Sequence, residues 1–585
     1  MTGLRGKGTP LKRVRPPVIG AALVALLLLT IVAPASGRPG ITPRAPRTGG
    51  WDGAARHAKP LPAVVPVRDA LTRALERGAI DEATYALERA RAVFDIGAVR
   101  ARYGAVRPAD PRGATMVLRD LVLRLEDLSP AQLEAARAIL ARPTDGAADQ
   151  FEDGYTVAEA SPVCSTNGCV HYVTSTEDAP ALTDTTPANG IPDYVDSTRD
   201  TFEEVWATEV TTYGYRPPKS DETSTNNGGS ALIDIYVAQI GDQGLYGYCT
   251  TDDPNADPAS GYQFFDFSAY CVVDNDYNVA EFPGLTNGLA ALQVTMAHEF
   301  FHAIQFAYDA GDDLWFMEST ATWMEDEVYD DLNDNWQYFP DSPLGEPRVP
   351  LDDNRGFNVY GDWIFPRYIE ESSPTDPGYG LIRRVWELAD ASPTGPDLYG
   401  IKAYANAIKE VAPGVKFRWV FADFGMQNDY PAAFYEEGED YPFAPPDRVV
   451  RVTGRNAGGD GTERLDHLSN RYIWFKPGRG VQPNAKLWVR MDGPAYSTGP
   501  EASVVVFYES GKVKFTPLPV SKKGIAEIRV PFGKGKVAEV DLVMTNASTR
   551  LVDGECWVDP NWRYSCAGDP RDDGMTYEYW GLLLQ

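Results

Sequence analysis

HEFFHAIQFAYDAGDDLWFMESTATWME, residues 298–325, decides how the rest of the chain is read. His298 and His302 lie four positions apart, and four helical residues turn about 400°, so both imidazoles leave one face a single turn apart. That spacing suits two nitrogens on one tetrahedral zinc. Glu299 sits about 100° round the same helix, near enough to take a proton from a water at such a metal without being a ligand. Leu289, Leu292, Met296, Phe300, Ala303 and Ala307 recur at three or four and predict the core stripe of this helix. Thr286 or Asn287 is a suitable cap, and Asp309, Gly311, Asp312 and Asp313 predict the exit turn.

A catalytic zinc centre has three protein ligands and an open position. The pattern Leu314, Met317, Ala321, Met324, Val328 predicts a second helix over 314–328. Trp315, Glu318, Thr322 and Glu325 run beside that stripe. Glu318 is the expected third ligand, with Glu325, on the same side two turns on, as the alternative. Asp309, Asp312 and Asp313 are weaker candidates, because a turn positions them less firmly.

HEFFH followed after fifteen residues by a glutamate on a second helix resembles the gluzincin metallopeptidases, of which the thermolysin-like enzymes are the best known. The longer run from His298 to Asp326, with NGIPDYVD (189–196) before it and YGDWIFPRYIEE (360–371) after it, is similar to a family of secreted bacterial metalloproteases. The likeness covers roughly residues 160–390. It implies a zincin-like fold, His298, His302 and Glu318 as zinc ligands, and Glu299 as general base. It also implies a sheet edge beside the active helix that pairs with substrate. Gluzincins place a Tyr or His near the metal to steady the oxyanion, and Tyr360 is the candidate here.

Outward from this stretch, the chain divides. Arg5, Lys7, Lys12, Arg13 and Arg15 precede an apolar run, Val18 to Val32, and Ala33-Pro34-Ala35. This reads as a secretory signal over residues 1–36, with no membrane association after its removal. Residues 37–150 hold a Pro/Gly/Arg-rich lead and then four helical periodicities between Val67 and Arg142, the last starting at Ser129-Pro130. Their position suggests a propeptide, and hence a zymogen, or a permanent N-terminal domain. Residues 151–445 have an α+β pattern. Strands are expected near 170–175, 232–240, 244–250 and 268–274, with helices at 193–210 and over 360–369, the last broken or bent at Pro366. Residues 446–585 turn to short alternating runs separated by Gly, Pro and Asn, the pattern of an all-β sandwich.

The six cysteines fall as close pairs, 164/169, 249/271 and 556/566, and predict three disulfides in an exported protein. Residues 1–150 carry 23 Lys and Arg against 14 Asp and Glu, whereas residues 151–400 carry 8 against 45. Such an acidic region repels nucleic acid. Calcium is the extracellular cation that would offset it. Asp184, Asn189, Asp193 and Asp196 are the first candidate ligands, and Asp252, Asp253, Asp257, Asp274 and Asp276 the second. His171 reads as a strand residue. The function expected is a secreted zinc endopeptidase acting on protein or peptide. The alternatives are an exported binding protein with a relict metal site, and a zinc hydrolase acting on cell-wall amides.

Overall fold

The computed structural model describes residues 70–107, 112–146, 154–282, 285, 287–372, 378–552 and 563–584. The expected signal sequence and the whole Pro/Gly/Arg-rich lead lie outside them. The chain is a mixed, multidomain α+β protein.

Five helices come first: α1 (Ala70–Glu76), α2 (Glu82–Phe94), α3 (Ile96–Tyr103), α4 (Ala114–Val122) and α5 (Pro130–Ile139). Sequence periodicity predicts four helices here and does not include α3. Asp95 separates it, because its backbone ends α2 while its side chain accepts from Ala98 N and caps α3. At α5 the expected start is observed: Pro130 occupies the first turn, and Ser129 with Gln132 forms a capping box.

A five-stranded sheet follows, in the order β1 (Val163–Cys164), β2 (Gly168–His171), β3 (Ile233–Ala238), β5 (Tyr270–Asp274), β4 (Gly247–Thr250). β2, β3 and β5 are parallel and fully buried, as expected of strands covered on both faces. β4 runs antiparallel to β5 and forms an edge of the sheet. A disulfide joins Cys249 of β4 to Cys271 of β5, and another joins Cys164 to Cys169. Cys566 is also in a disulfide; Cys556 lies outside the described residues.

Helix α6 (Asp193–Trp206) packs on β2, continues as a π-helical turn to Thr212, and presses Phe202 and Trp206 onto Phe300 with ring centroids 5.2 and 5.6 Å apart. Phe300 belongs to α7 (Gly288–Tyr308), the long helix that bears the HEFFH sequence and lies against β4 and β5. Asn287 caps it by accepting from Leu289 N at 3.1 Å. The expected core stripe needs correction. Leu289 is 49% exposed, whereas every residue from Thr295 to Tyr308 is buried. The helix surfaces at its first turn and then runs through the interior, so both faces are covered and periodicity cannot separate them.

A five-residue turn leads to α8 (Leu314–Val328), which packs back along α7. Beyond it come α9 (Asn358–Gly361), α10 (Ile364–Ser372), α11 (Tyr379–Ala389), α12 (Gly400–Val411) and α13 (Phe417–Asn428). The break expected at Pro366 falls instead before Ile364, and Pro366 stands in the first turn of α10, where its missing N–H has no helical acceptor to lose.

The C-terminal quarter forms two sheets, of five and four strands. One has the order β11 (Val513–Leu518), β10 (Pro500–Tyr508), β13 (Val537–Asn546), β8 (Ser469–Pro477), β6 (Arg448–Val452). The other has the order β12 (Ile525–Pro531), β9 (Lys486–Asp492), β16 (Met575–Leu584), β7 (Gly458–Leu465). A short pair, β14 (Leu551–Val552) with β15 (Asp569–Pro570), lies beside them. Leu487, Val489 and Met491 alternate inward from one sheet to meet Ile473, Val504 and Leu542 of the other in a core of their own. By contrast, Leu87, Leu118, Leu121 and Leu140 from the N-terminal helices share one apolar core with β2–β5, α7 and α8. Among the described residues no helix is long and apolar enough to cross a membrane.

Candidate metal centre

On α7 the one-turn spacing brings His298 Nε2 and His302 Nε2 to 3.0 Å from each other. Helix α8 turns Glu318 onto the same point. Its Oε2 lies 3.2 Å from His298 Nε2 and 3.6 Å from His302 Nε2. All three side chains are buried.

Each ring is fixed by its other nitrogen. Gln305 Nε2 donates to Met317 O at 2.8 Å and to Thr320 Oγ1 at 3.1 Å, so its amide oxygen must face His302 Nδ1, 2.7 Å away. An oxygen there accepts, which assigns a proton to Nδ1. Glu325 does the same for His298, with Oε1 2.7 Å from Nδ1. Glu318 and Glu325 are seven residues apart and so share a helix face. They reach opposite nitrogens of one ring, and Glu325 is therefore an orienting carboxylate in this geometry, not a member of the converging set.

The charges are consistent with that division. Burial opposes ionisation of Glu318, yet hydrogen bonds from His298 and His302 outweigh it and hold the carboxyl down to about 2. Burial likewise opposes a charged His298, but Glu318 and Glu325 raise it well above its ordinary value. Glu325, with one histidine contact against the cost of burial, is pushed up to about 7. Glu318 is thus held as the anion facing the two imidazoles.

Glu299 leaves α7 beside this cluster, toward β4. Gly247 allows the close approach: a Cβ there would lie 2.7 Å from Thr295 Cγ2 and 3.3 Å from Glu299 Cγ. Glu299 Oε2 accepts from Thr115 Oγ1 at 2.6 Å. Tyr360, on α9, donates to Glu318 Oε1 at 3.3 Å and stacks on Tyr338 with centroids 5.0 Å apart.

Other sequence candidates lie elsewhere. His171 is buried in β2 between Glu159 and Asp234, each at 2.9 Å, and stacks on Tyr236. The first calcium candidates are engaged in local turns. Asp184 accepts from Asn189 N and Gly190 N, Asp193 from Thr185 and Thr186, and Asn189 donates to Asp196. Of the second group, Asp252 pairs with Arg142 and Asp257 with Arg137, while Asp253 accepts from Asn255 N and Ser268 N. Asp274 and Asp276 do converge, with Glu281. Asp309, Asp312 and Asp313 are buried in the α7–α8 turn, away from the histidines; Asp309 and Asp312 accept from Gly311 N and Asp313 N within the turn, and Asp313 accepts from Ser565 Oγ and Cys566 N.

Sequence reasoning did not assign a role to Gln305 or Thr115. Gln305 was legible at i+3 from His302. Thr115 carried no local signal, being 184 positions from its partner.

No family model and no curated protein matches the chain. Among solved structures, a family GH115 4-O-methyl-α-glucuronidase with specificity for decorated arabinogalactans aligns at 9% identity and a TM-score of 0.13. The alignment covers 64% of this chain and spans about half (54%) of that enzyme. A likeness this slight bears on neither fold nor activity.

Proposed function

We propose that this chain is a secreted zinc-dependent endopeptidase, built from a helical pro-region, a zincin-like catalytic part and a β-sandwich. The observation that supports it best is the triangle of His298 Nε2, His302 Nε2 and Glu318 Oε2, with sides of 3.0, 3.2 and 3.6 Å. Donors about 2.0–2.1 Å from a tetrahedral zinc are about 3.3–3.4 Å apart, so the three atoms already stand near the corners of a zinc coordination shell. Two imidazoles and one carboxylate, with both outer ring nitrogens engaged, are the donor chemistry that ion takes. Zinc bound there would supply Lewis acidity toward a carbonyl oxygen and toward water.

The chain's own residues would do the rest. Glu299 is held off the ligand triangle and beside β4, where it can take a proton from the attacking water and pass it to the leaving amine. Tyr360 presents its hydroxyl at the opposite side, on Glu318, within reach of an oxyanion if that hydrogen bond is exchanged. β4, an antiparallel edge strand, offers backbone groups to an extended peptide. The disulfides accord with export to an oxidising compartment.

The test is zinc content by elemental analysis beside hydrolysis of a casein and peptide panel, with and without chelator. One zinc per chain and chelator-sensitive cleavage is the expected result. A protein that takes up no zinc after reconstitution refutes the reading and favours a binding protein. Zinc with cleavage of cell-wall amides, and not peptides, moves the substrate class.

A further inference from the structure

The edge of β4 is not bare. Cys249 and Cys271 stand directly opposite on antiparallel strands with Cα atoms 4.0 Å apart and a disulfide between them. So close a pair is a non-hydrogen-bonded one, in which both residues point their N–H and C=O away from each other. The Cys249 N–H therefore faces off the sheet, toward the position an added peptide strand would occupy. Thr115 Oγ1 accepts that N–H at 2.8 Å. The same hydroxyl donates to Glu299 Oε2 at 2.6 Å. One side chain of α4, itself 1% exposed, thus engages both the free strand edge and the carboxylate expected to act as base.

The neighbours of Thr115 extend the contact to either side. Arg112 lies against the rings of Tyr246 and Tyr338, at 5.4 and 5.3 Å, and donates to Tyr338 OH at 2.7 Å. Tyr338 in turn stacks on Tyr360. Arg119, buried, donates to Asp312 O at 3.0 Å in the turn between α7 and α8. Residues 112–119 therefore reach from the Tyr360 wall, across Glu299, to the turn that precedes the Glu318 helix.

Resting on the peptidase reading, we infer that residues 112–119 are a built-in inhibitor seated in the peptide groove, and that hydrolysis requires this segment to leave. Its chemistry identifies what the groove accepts: an extended peptide that takes the Cys249 N–H. A strand paired with β4 and Thr115 cannot both hold that N–H, and Thr115 takes up one acceptor site of the carboxylate that is to receive the proton of a water.

The experiment uses the full-length, zinc-loaded protein and two readouts: affinity for a zinc-directed dipeptide hydroxamate, and hydrolysis of a quenched fluorescent peptide. Thr115→Val removes both hydrogen bonds at nearly constant volume. Thr115→Ser keeps the hydroxyl, and Arg112→Ala loosens the segment from a second point. Thr115→Val and Arg112→Ala should each bind the hydroxamate about tenfold more tightly than the parent and hydrolyse faster by a similar factor, with Thr115→Ser near the parent. Equal hydroxamate affinity in parent and both variants, at equal zinc content, overturns the inference and leaves the peptidase reading untouched. Tighter hydroxamate binding with no peptide cleaved upholds the inhibitor and overturns the peptidase reading. Should Thr115→Val lose its zinc or its near-UV spectrum, Arg112→Ala carries the same test.

Discussion

Replacing Glu325 and Glu318 by glutamine, one at a time, tests whether Glu318 is a zinc ligand and Glu325 a carboxylate that orients one. Glu325 Oε1 is 2.7 Å from His298 Nδ1, and burial leaves no water to take its place. A hydrogen bond to an ionised partner contributes about 1.5–3 kcal/mol and a neutral one about 0.5–1.5. Glutamine can still turn an oxygen toward Nδ1, so Glu325→Gln should lose about 1–1.5 kcal/mol, or roughly tenfold in zinc affinity. Glu325→Ala should approach the hundredfold end of the range for orienting partners. Glu318→Gln removes an anionic corner of the triangle itself, and its loss should exceed about a hundredfold. Competition against a chromophoric chelator measures all three. A Glu325→Gln protein that loses zinc as completely as Glu318→Gln, or a Glu318→Gln protein that retains it, refutes the assignment of the two carboxylates.

Glu299→Gln should keep full zinc stoichiometry and the parent circular dichroism while hydrolysis falls by about 10²–10⁴; cleavage at the parent rate would remove Glu299 from the mechanism. Arg142, fully buried, bonds Asp221 and Asp252 at 2.8 Å and also Asp234. Arg142→Met strands these carboxylates, and urea unfolding should show a loss of about 3–5 kcal/mol; a change below 1 would mean that they relax to water. His467 is buried against Asp352 and Asp573, at 2.8 and 2.6 Å. Burial lowers its basicity, but the two carboxylates prevail and push it up to about 10. The folded value lies above the unfolded one near 6.5, so the stabilisation is complete below about pH 6.5 and disappears as pH rises to about 10. The difference in melting temperature between the parent and His467→Gln should therefore be large at pH 6 and shrink toward pH 10. A gap that widens with pH would mean that the ring is neutral in the folded protein.

What could be read without coordinates follows the range of each interaction. Helix α8 has the expected bounds, Leu314 to Val328, because a helix states its period within its own length. The pairing of His298 with His302 is likewise a property of one turn. The division of labour between Glu318 and Glu325 is not, since both project from the same face and only the placement of α8 against α7 decides which ring nitrogen each one meets. Leu289 misled for a related reason: periodicity reports which residues align, not the depth at which the helix enters the core. β3 and β5 were expected two or three residues longer than they are, as the apolar run of β3 continues into a buried loop at Ile240, and β2, expected over 170–175, lies earlier, at 168–171. Thr115 could not have been found, because nothing in a threonine at the start of a helix names a partner on a distant one.

Asp313, the residue from which α8 starts, places the centre late in the life of the chain. It is fully buried, and its carboxylate accepts from Ser565 Oγ at 2.6 Å and from Cys566 N, more than 250 positions downstream. Until those residues arrive, the first turn of the helix that carries Glu318 has a desolvated acid without its donors. A chain still emerging from synthesis or export can form the His298–His302 turn locally, but the third corner of the triangle gains its anchor only when nearly the whole polypeptide has been delivered. Assembly of the candidate centre would thus act as a completeness check, since a chain truncated before Ser565 lacks the donors to Asp313.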